Sequence, residues 1–145
     1  MECRILTFDE LDKDTLYDVL RLRSQTFVVD QGVRYLDPDG YDKGAYHMLC
    51  TENGRPIGYL RILKRGMTFD TAAIGRIIAI DRRKGVGTEM MNRAFDFLRD
   101  VMHEDVVKIE AQVRLHGFYS KLGFEPYGEE FDEGGLAHVN MIKRL

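Results

Sequence analysis

The chain has 145 residues and 44% hydrophobic content, enough for one domain, residues 1–145, with a real core. A formal net charge of −3 and a pI near 5.8 exclude nucleic acid as the main partner, which would need a large basic face. No apolar run approaches a membrane span and the first ten residues lack a secretory apolar core, so a soluble cytoplasmic protein with no membrane partner is expected. Cys3 and Cys50 lie far apart without neighbours at ligand spacing, and they suit free thiols in a reducing compartment better than a disulfide or a zinc site.

Residues 3–8 alternate like a short strand. From Leu11 to Phe27 the apolar positions Leu11, Leu16, Val19, Leu20, Leu22 and Phe27 recur at helical spacing, with Asp9 or Asp12 as the cap. Residues 37–44 are turn-formers and predict a loop. Residues 46–51 and 56–64 flank Asn53-Gly54, a strong hairpin signal, and should pair antiparallel. A strand over residues 72–80 leads to a glycine loop, followed by a helix from Gly87 to Met102 with Met90, Met91, Ala94, Phe95 and Leu98 on one face. Val106 to Gln112 predicts a strand, 114–122 a short helix ending at Gly123, and 125–131 and 137–143 two closing strands. No repeat, low-complexity tract or linker interrupts this order. The result is an α/β mixture, a mixed sheet flanked by helices rather than regular βαβ alternation.

The most informative segment runs from Ala79 through Asp81, Arg82, Arg83, Lys84, Gly85, Val86 and Gly87 to Thr88. Gly85 and Gly87 stand where the backbone must bend and lie open to a ligand. Amides freed at the start of a helix favour an anion, and Arg82, Arg83 and Lys84 add positive charge. The segment therefore predicts a phosphate or pyrophosphate cradle made of main chain. The same residues would also serve an ordinary strand-to-helix connection with basic side chains in water. The loop lacks the Gly-Lys-Thr/Ser ending of a Walker loop and the third glycine of a Rossmann fingerprint.

The pattern Arg82-x-x-Gly85-x-Gly87 resembles the acetyl-coenzyme A signature of the GCN5-related N-acetyltransferase (GNAT) family. A second match is Gly117-Phe118-Tyr119-Ser120-Lys121-Leu122-Gly123-Phe124, where family members commonly carry Phe-Tyr-x-Lys-x-Gly-Phe. Leu22 to Gln31, the run Asp37-x-Asp39-Gly40-x-Asp42 and Ala137-His138 resemble features of the bacterial ElaA-like subgroup. The link between the Arg76 strand and Arg82 is about two residues shorter than in those relatives. The resemblance spans nearly the whole chain. It implies the acyl-CoA N-acyltransferase fold, a predominantly antiparallel central sheet flanked by helices, with acetyl-CoA held by Ile78, Ala79, Ile80, Arg82, Arg83, Lys84, Gly85, Val86, Gly87, Thr88 and Tyr119.

The implied chemistry is transfer of an acetyl group from a thioester to the primary amine of a small molecule. Tyr119 is expected as the acid that protonates the leaving thiolate; its alternative role is a half-buried aromatic with its hydroxyl in water. His138 aligns with a histidine that acts as base in some relatives, and histidine as a residue type titrates near neutrality. A backbone-bonded strand histidine, with a water relay as the base, is its alternative. His47, His116 and His103 have weaker claims. Arg23, Arg76 and Gln112 are expected in the substrate pocket, with an Arg76–Glu110 ion pair as the alternative for Arg76. The Asp37–Asp42 run lacks the EF-hand glycine at position six and the glutamate at twelve, so no metal site is expected there, only a substrate-covering or solvated loop. Three further readings are a non-catalytic acyl-CoA sensor, acetylation of a protein amine and a homodimer.

Overall fold

The computed structural model describes residues 1–81 and 84–145. A seven-stranded sheet in the order β1-β2-β3-β4-β5-β7-β6 forms its centre, the mixed and mainly antiparallel sheet that the sequence predicts.

β1 (Glu2–Thr7) pairs antiparallel with β2 (Tyr46–Glu52). That register sets Cys3 opposite Cys50, and the two form a disulfide. The expectation of two separate thiols is thus corrected. The cysteines stand 47 positions apart along the chain, and strand pairing brings them together. With it goes the free-thiol argument for a reducing compartment.

Helix α1 (Lys13–Arg23) starts where Asp12 Oδ1 accepts the Thr15 N–H at 2.7 Å. The predicted helix continues to Phe27, but the α-helical part ends at Arg23 and a wider π-helical turn, Ser24–Asp30, follows. It ends on a Gln31 N–H to Thr26 C=O bond and buries Phe27.

β2 and β3 (Arg55–Leu63) form the predicted hairpin, with Asn53 and Gly54 at φ of 52° and 75°, the left-handed pair that a tight two-residue turn requires. β3 then pairs with β4 (Ala72–Ala79). From Tyr59↔Ile78 to Arg61↔Gly75, two steps along β3 match three along β4, a bulge centred on Arg76, whose φ is 52°.

β4 meets β5 (Val106–Gln112) in parallel at Ala72↔Val107 and Ala73↔Lys108 alone, and beyond these pairs the strands separate. β5 pairs along its length with β7 (Leu136–Arg144), which pairs with β6 (Glu125–Glu133).

Helix α2 (Val86–Asp100) packs Met90, Met91, Ala94, Phe95 and Leu98 onto Met48, Leu60, Ile62 and Ile109. Alternate strand residues Leu49, Tyr59 and Ile78 point to the opposite face and pack with Val19 and Phe27. Helix α3 (His116–Lys121) follows a 3-10 turn, Val113–Leu115, at the end of β5 and is stopped by Gly123 at φ 96°.

Candidate active site

Gly85 caps α2 in the left-handed region, φ 70°, where any other residue would be strained. The first main-chain bond of α2 runs from the Glu89 N–H to the Gly85 C=O at 3.1 Å, so the amides of Val86, Gly87 and Thr88 precede it. Among the described residues no side chain caps that end. A Cβ on Gly87 would come 3.2 Å from Phe118 Cζ and 3.6 Å from Ala79 Cβ. Gly85, Gly87, Thr88, Ala79 and Phe118 border a cavity of about 150 Å³. Bare main chain at a helix N-terminus suits a pyrophosphate, and the adjoining apolar walls suit a thin flexible arm, so these residues fit coenzyme A.

The other residues expected to hold the cofactor fall into three groups. Arg82 and Arg83 lie outside the described residues. Lys84 is exposed and 3.9 Å from Asp81. Ile80 donates its N–H to the Ile57 C=O at 2.9 Å, and ladder alternation turns the Ile78 amide toward β3 as well. Those two amides therefore face away from the gap. Ile77 lines the cavity with Ala79, and sequence reasoning missed it.

Tyr119 on α3 is 6% exposed, its ring set edge-on against Phe118 and Phe124 at 5.2 and 6.0 Å between centroids. It lines both this cavity and a larger one of about 490 Å³ in the gap between β4 and β5. Ile77 and Leu115 share that position, and Tyr119 alone of the three carries a proton-donating side chain.

His138, Gln112, Glu110 and Glu133 face the larger cavity. His138 Nδ1 lies 2.8 Å from the Leu136 carbonyl oxygen, and a carbonyl can only accept. The proton is therefore on Nδ1, and in the neutral ring Nε2 carries the lone pair that a base needs. The ring stacks on Phe131 at 5.9 Å and is nearly buried. Gln112 donates from Nε2 to Gln31 Oε1 at 2.9 Å and accepts from Arg114 Nε at 2.8 Å. Glu110 is exposed on β5, but the protein packed around it and the like charge of Glu133 push its carboxyl up, while His138 and Arg76 pull the other way.

The aspartate run is not a merely solvated loop, which corrects that part of the expectation for residues 37–42: its three carboxylates hold arginines, and Asp39 and Tyr41 line the larger cavity. Asp37 Oδ2 accepts from Arg23 Nε at 3.0 Å and Oδ1 from Arg76 Nε at 2.9 Å. Asp42 Oδ1 accepts from Arg23 and Arg61 at 2.7 and 2.9 Å. Asp39 binds both nitrogens of the Arg61 fork, at 2.8 and 2.6 Å, and Arg76 at 3.2 Å. Burial alone would raise the Asp39 carboxyl, but the hydrogen bond and charge of Arg61 outweigh it and leave it at about 2.

Arg23 is fully buried in this network and lies outside the cavity lining, so its expected contact with substrate is corrected. Arg76 does line the cavity, but it is paired with Asp37 and Asp39 and stacked 4.4 Å over the Tyr35 ring, not paired with Glu110. Arg61 was not anticipated. His47 is structural, bridging the Tyr59 hydroxyl and the Asp42 carbonyl at 2.7 and 2.8 Å. His116 and His103 are exposed; His103, at φ 58°, marks the turn after α2.

The chain belongs to the GNAT acetyltransferase family: residues 23–145 match the family model described as an acetyltransferase (GNAT) domain. It is 32% identical to Protein ElaA of Escherichia coli over 149 aligned residues, covering 100% of this chain and 97% of that protein. The crystal structure of Escherichia coli ElaA superposes with a TM-score of 0.89 at 33% identity, over 98% of both chains. An acyl-CoA N-acyltransferase from Pseudomonas aeruginosa superposes with a TM-score of 0.90 at 27% identity, over 99% of both.

Proposed function

We propose that this protein transfers an acetyl group from acetyl-CoA to the primary amine of a small molecule, by direct attack within a ternary complex. The observation that carries this reading is the position of Tyr119, common to the glycine-cornered cavity and to the cavity holding His138. Coenzyme A would be held by the amides at the start of α2 and would supply the acyl group as a thioester. His138 Nε2 takes one proton from the substrate ammonium. As the new C–N bond forms and the C–S bond breaks, the Tyr119 hydroxyl gives its proton to the departing sulfur. Tyr119 then recovers a proton from the nitrogen of the new amide, so one proton in all is released to solvent. Both aspects of the site support turnover over a non-catalytic sensor: a base with a bare nitrogen and an acid at the junction.

Thiol release measured over a panel of amines tests the reading. Tyr119→Phe removes one hydroxyl and leaves the ring packing, so kcat should fall on the order of 10²- to 10⁴-fold while acetyl-CoA affinity holds by calorimetry. An unchanged kcat would overturn the acid assignment. Tight cofactor binding with no turnover of any amine would establish the sensor instead.

A further inference from the structure

We propose that the larger cavity selects an aliphatic di- or polyamine, whose second ammonium is held by Glu110 and Glu133, and disfavours amines that carry a carboxylate. The proposal rests on the acyl-transfer reading above for the identity of the cavity as the acceptor site. Its basis is the distribution of partners among the charged groups that face the cavity.

The cations are already engaged. Arg61 binds Asp39 and Asp42, and Arg76 binds Asp37 and Asp39. Lys108, two residues from Glu110 on the same face of β5, is held by Asp70 at 2.9 Å and lies over the Phe69 and Tyr127 rings. Asp39 is in turn satisfied by its two arginines. Glu110 and Glu133 differ from all of these, since among the described residues neither side chain has a hydrogen bond or an ion pair, although both face the cavity. The cavity thus presents uncompensated negative charge, although three arginines lie within or just behind its wall.

Two carboxylates facing one cavity without a cation repel each other, and an incoming ammonium offsets that repulsion. A substrate carboxylate would have to compete with Asp37, Asp39 and Asp42 for arginines that already make several bonds each. His138 sits among these groups with Nε2 bare, where it can take the proton of one ammonium while the glutamates hold the other. The remaining wall includes Leu63, Met67 and Phe69, which suit a methylene chain, and about 490 Å³ lies within the roughly 300–1,000 Å³ of small-ligand pockets.

Three acceptors with the same four-carbon chain isolate the charge effect: diaminobutane, butylamine and γ-aminobutyrate, which end in an ammonium, a methyl group and a carboxylate. Diaminobutane should exceed butylamine in kcat/KM by about tenfold or more, as charge-assisted hydrogen bonds in a partly closed site do, with γ-aminobutyrate lowest. Glu110→Gln and Glu133→Gln keep the side-chain shape, and each should lower the diaminobutane-to-butylamine ratio by about tenfold, mainly through KM. Calorimetric binding of the same three compounds gives the same ordering independently of turnover. Equal binding of butylamine and diaminobutane, or preference for γ-aminobutyrate, would overturn the proposal. Selective diamine binding without thiol release would sink the acyl-transfer reading and leave this one standing.

Discussion

Gly85 and Gly87 stand two residues apart in one loop, yet they are required for different reasons. At Gly85 the obstacle to a side chain is the backbone, since φ is 70° and nothing lies within 4 Å of a Cβ there. At Gly87 the obstacle is the Phe118 ring, 3.2 Å from a Cβ, on the wall of the smaller cavity beside Tyr119. Gly87→Val should therefore displace that ring and weaken acetyl-CoA binding by about tenfold or more, as overpacking of a well-filled site does. Calorimetry that finds full affinity in a folded Gly87→Val protein would remove the glycine corner from the cofactor site. Gly85→Ala should cost about 1–2 kcal/mol of stability through its left-handed backbone.

At the scale of elements, the arginine–aspartate network ties α1, the aspartate loop, β3 and the bulge of β4 into one wall of the larger cavity. Arg23 comes from α1, Arg61 from β3 and Arg76 from β4, and all three converge on residues 37–42. Burial acts against the charged form of Arg23, but its bonds to Asp42 and Asp37 more than compensate. The left-handed conformation of Arg76 is unfavourable by itself and is held by bonds to both Asp37 and Asp39. Removing one partner of a buried ion pair strands the other, so Arg23→Met should destabilise the protein by about 3–5 kcal/mol in urea unfolding. A loss below about 1 kcal/mol would mean that the network behaves as an exposed one.

The same network shapes the response of the whole molecule to acid. Folding lowers the Asp39 and Asp42 carboxyls below their unfolded values, Asp39 to about 2. The stability they add is complete above the unfolded carboxylate value of about 4 and is lost as the pH falls through the folded values. Glu110 works in the opposite sense: its folded value is raised, so its ionisation opposes folding as the pH rises past the unfolded value. Thermal unfolding followed from pH 6 downward should show the midpoint falling most steeply between about pH 4 and 2. Arg61→Met removes the main group that lowers Asp39, so its midpoint should fall less steeply over that window. Parallel curves for the two proteins would show that Arg61 does not set the acid response.

Periodicity and turn chemistry, which act over a few residues, determined the elements from the sequence alone. The Val106–Gln112 strand is as predicted, the Asn53-Gly54 hairpin forms, and Asp12 is the cap. The two motifs around Gly85 and Tyr119 were legible for the same reason, since each is a local run with a local geometry. Tertiary structure decided the pairings between groups far apart in the chain. Strand register joined Cys3 to Cys50, and the bulge at Arg76 turned an expected substrate contact toward Asp37 and Asp39. The separation of β4 from β5 opened the gap in which Glu110 and Glu133 face His138. A charged side chain in the sequence looks the same whether it meets a partner or a cavity. Burial and register alone decide which.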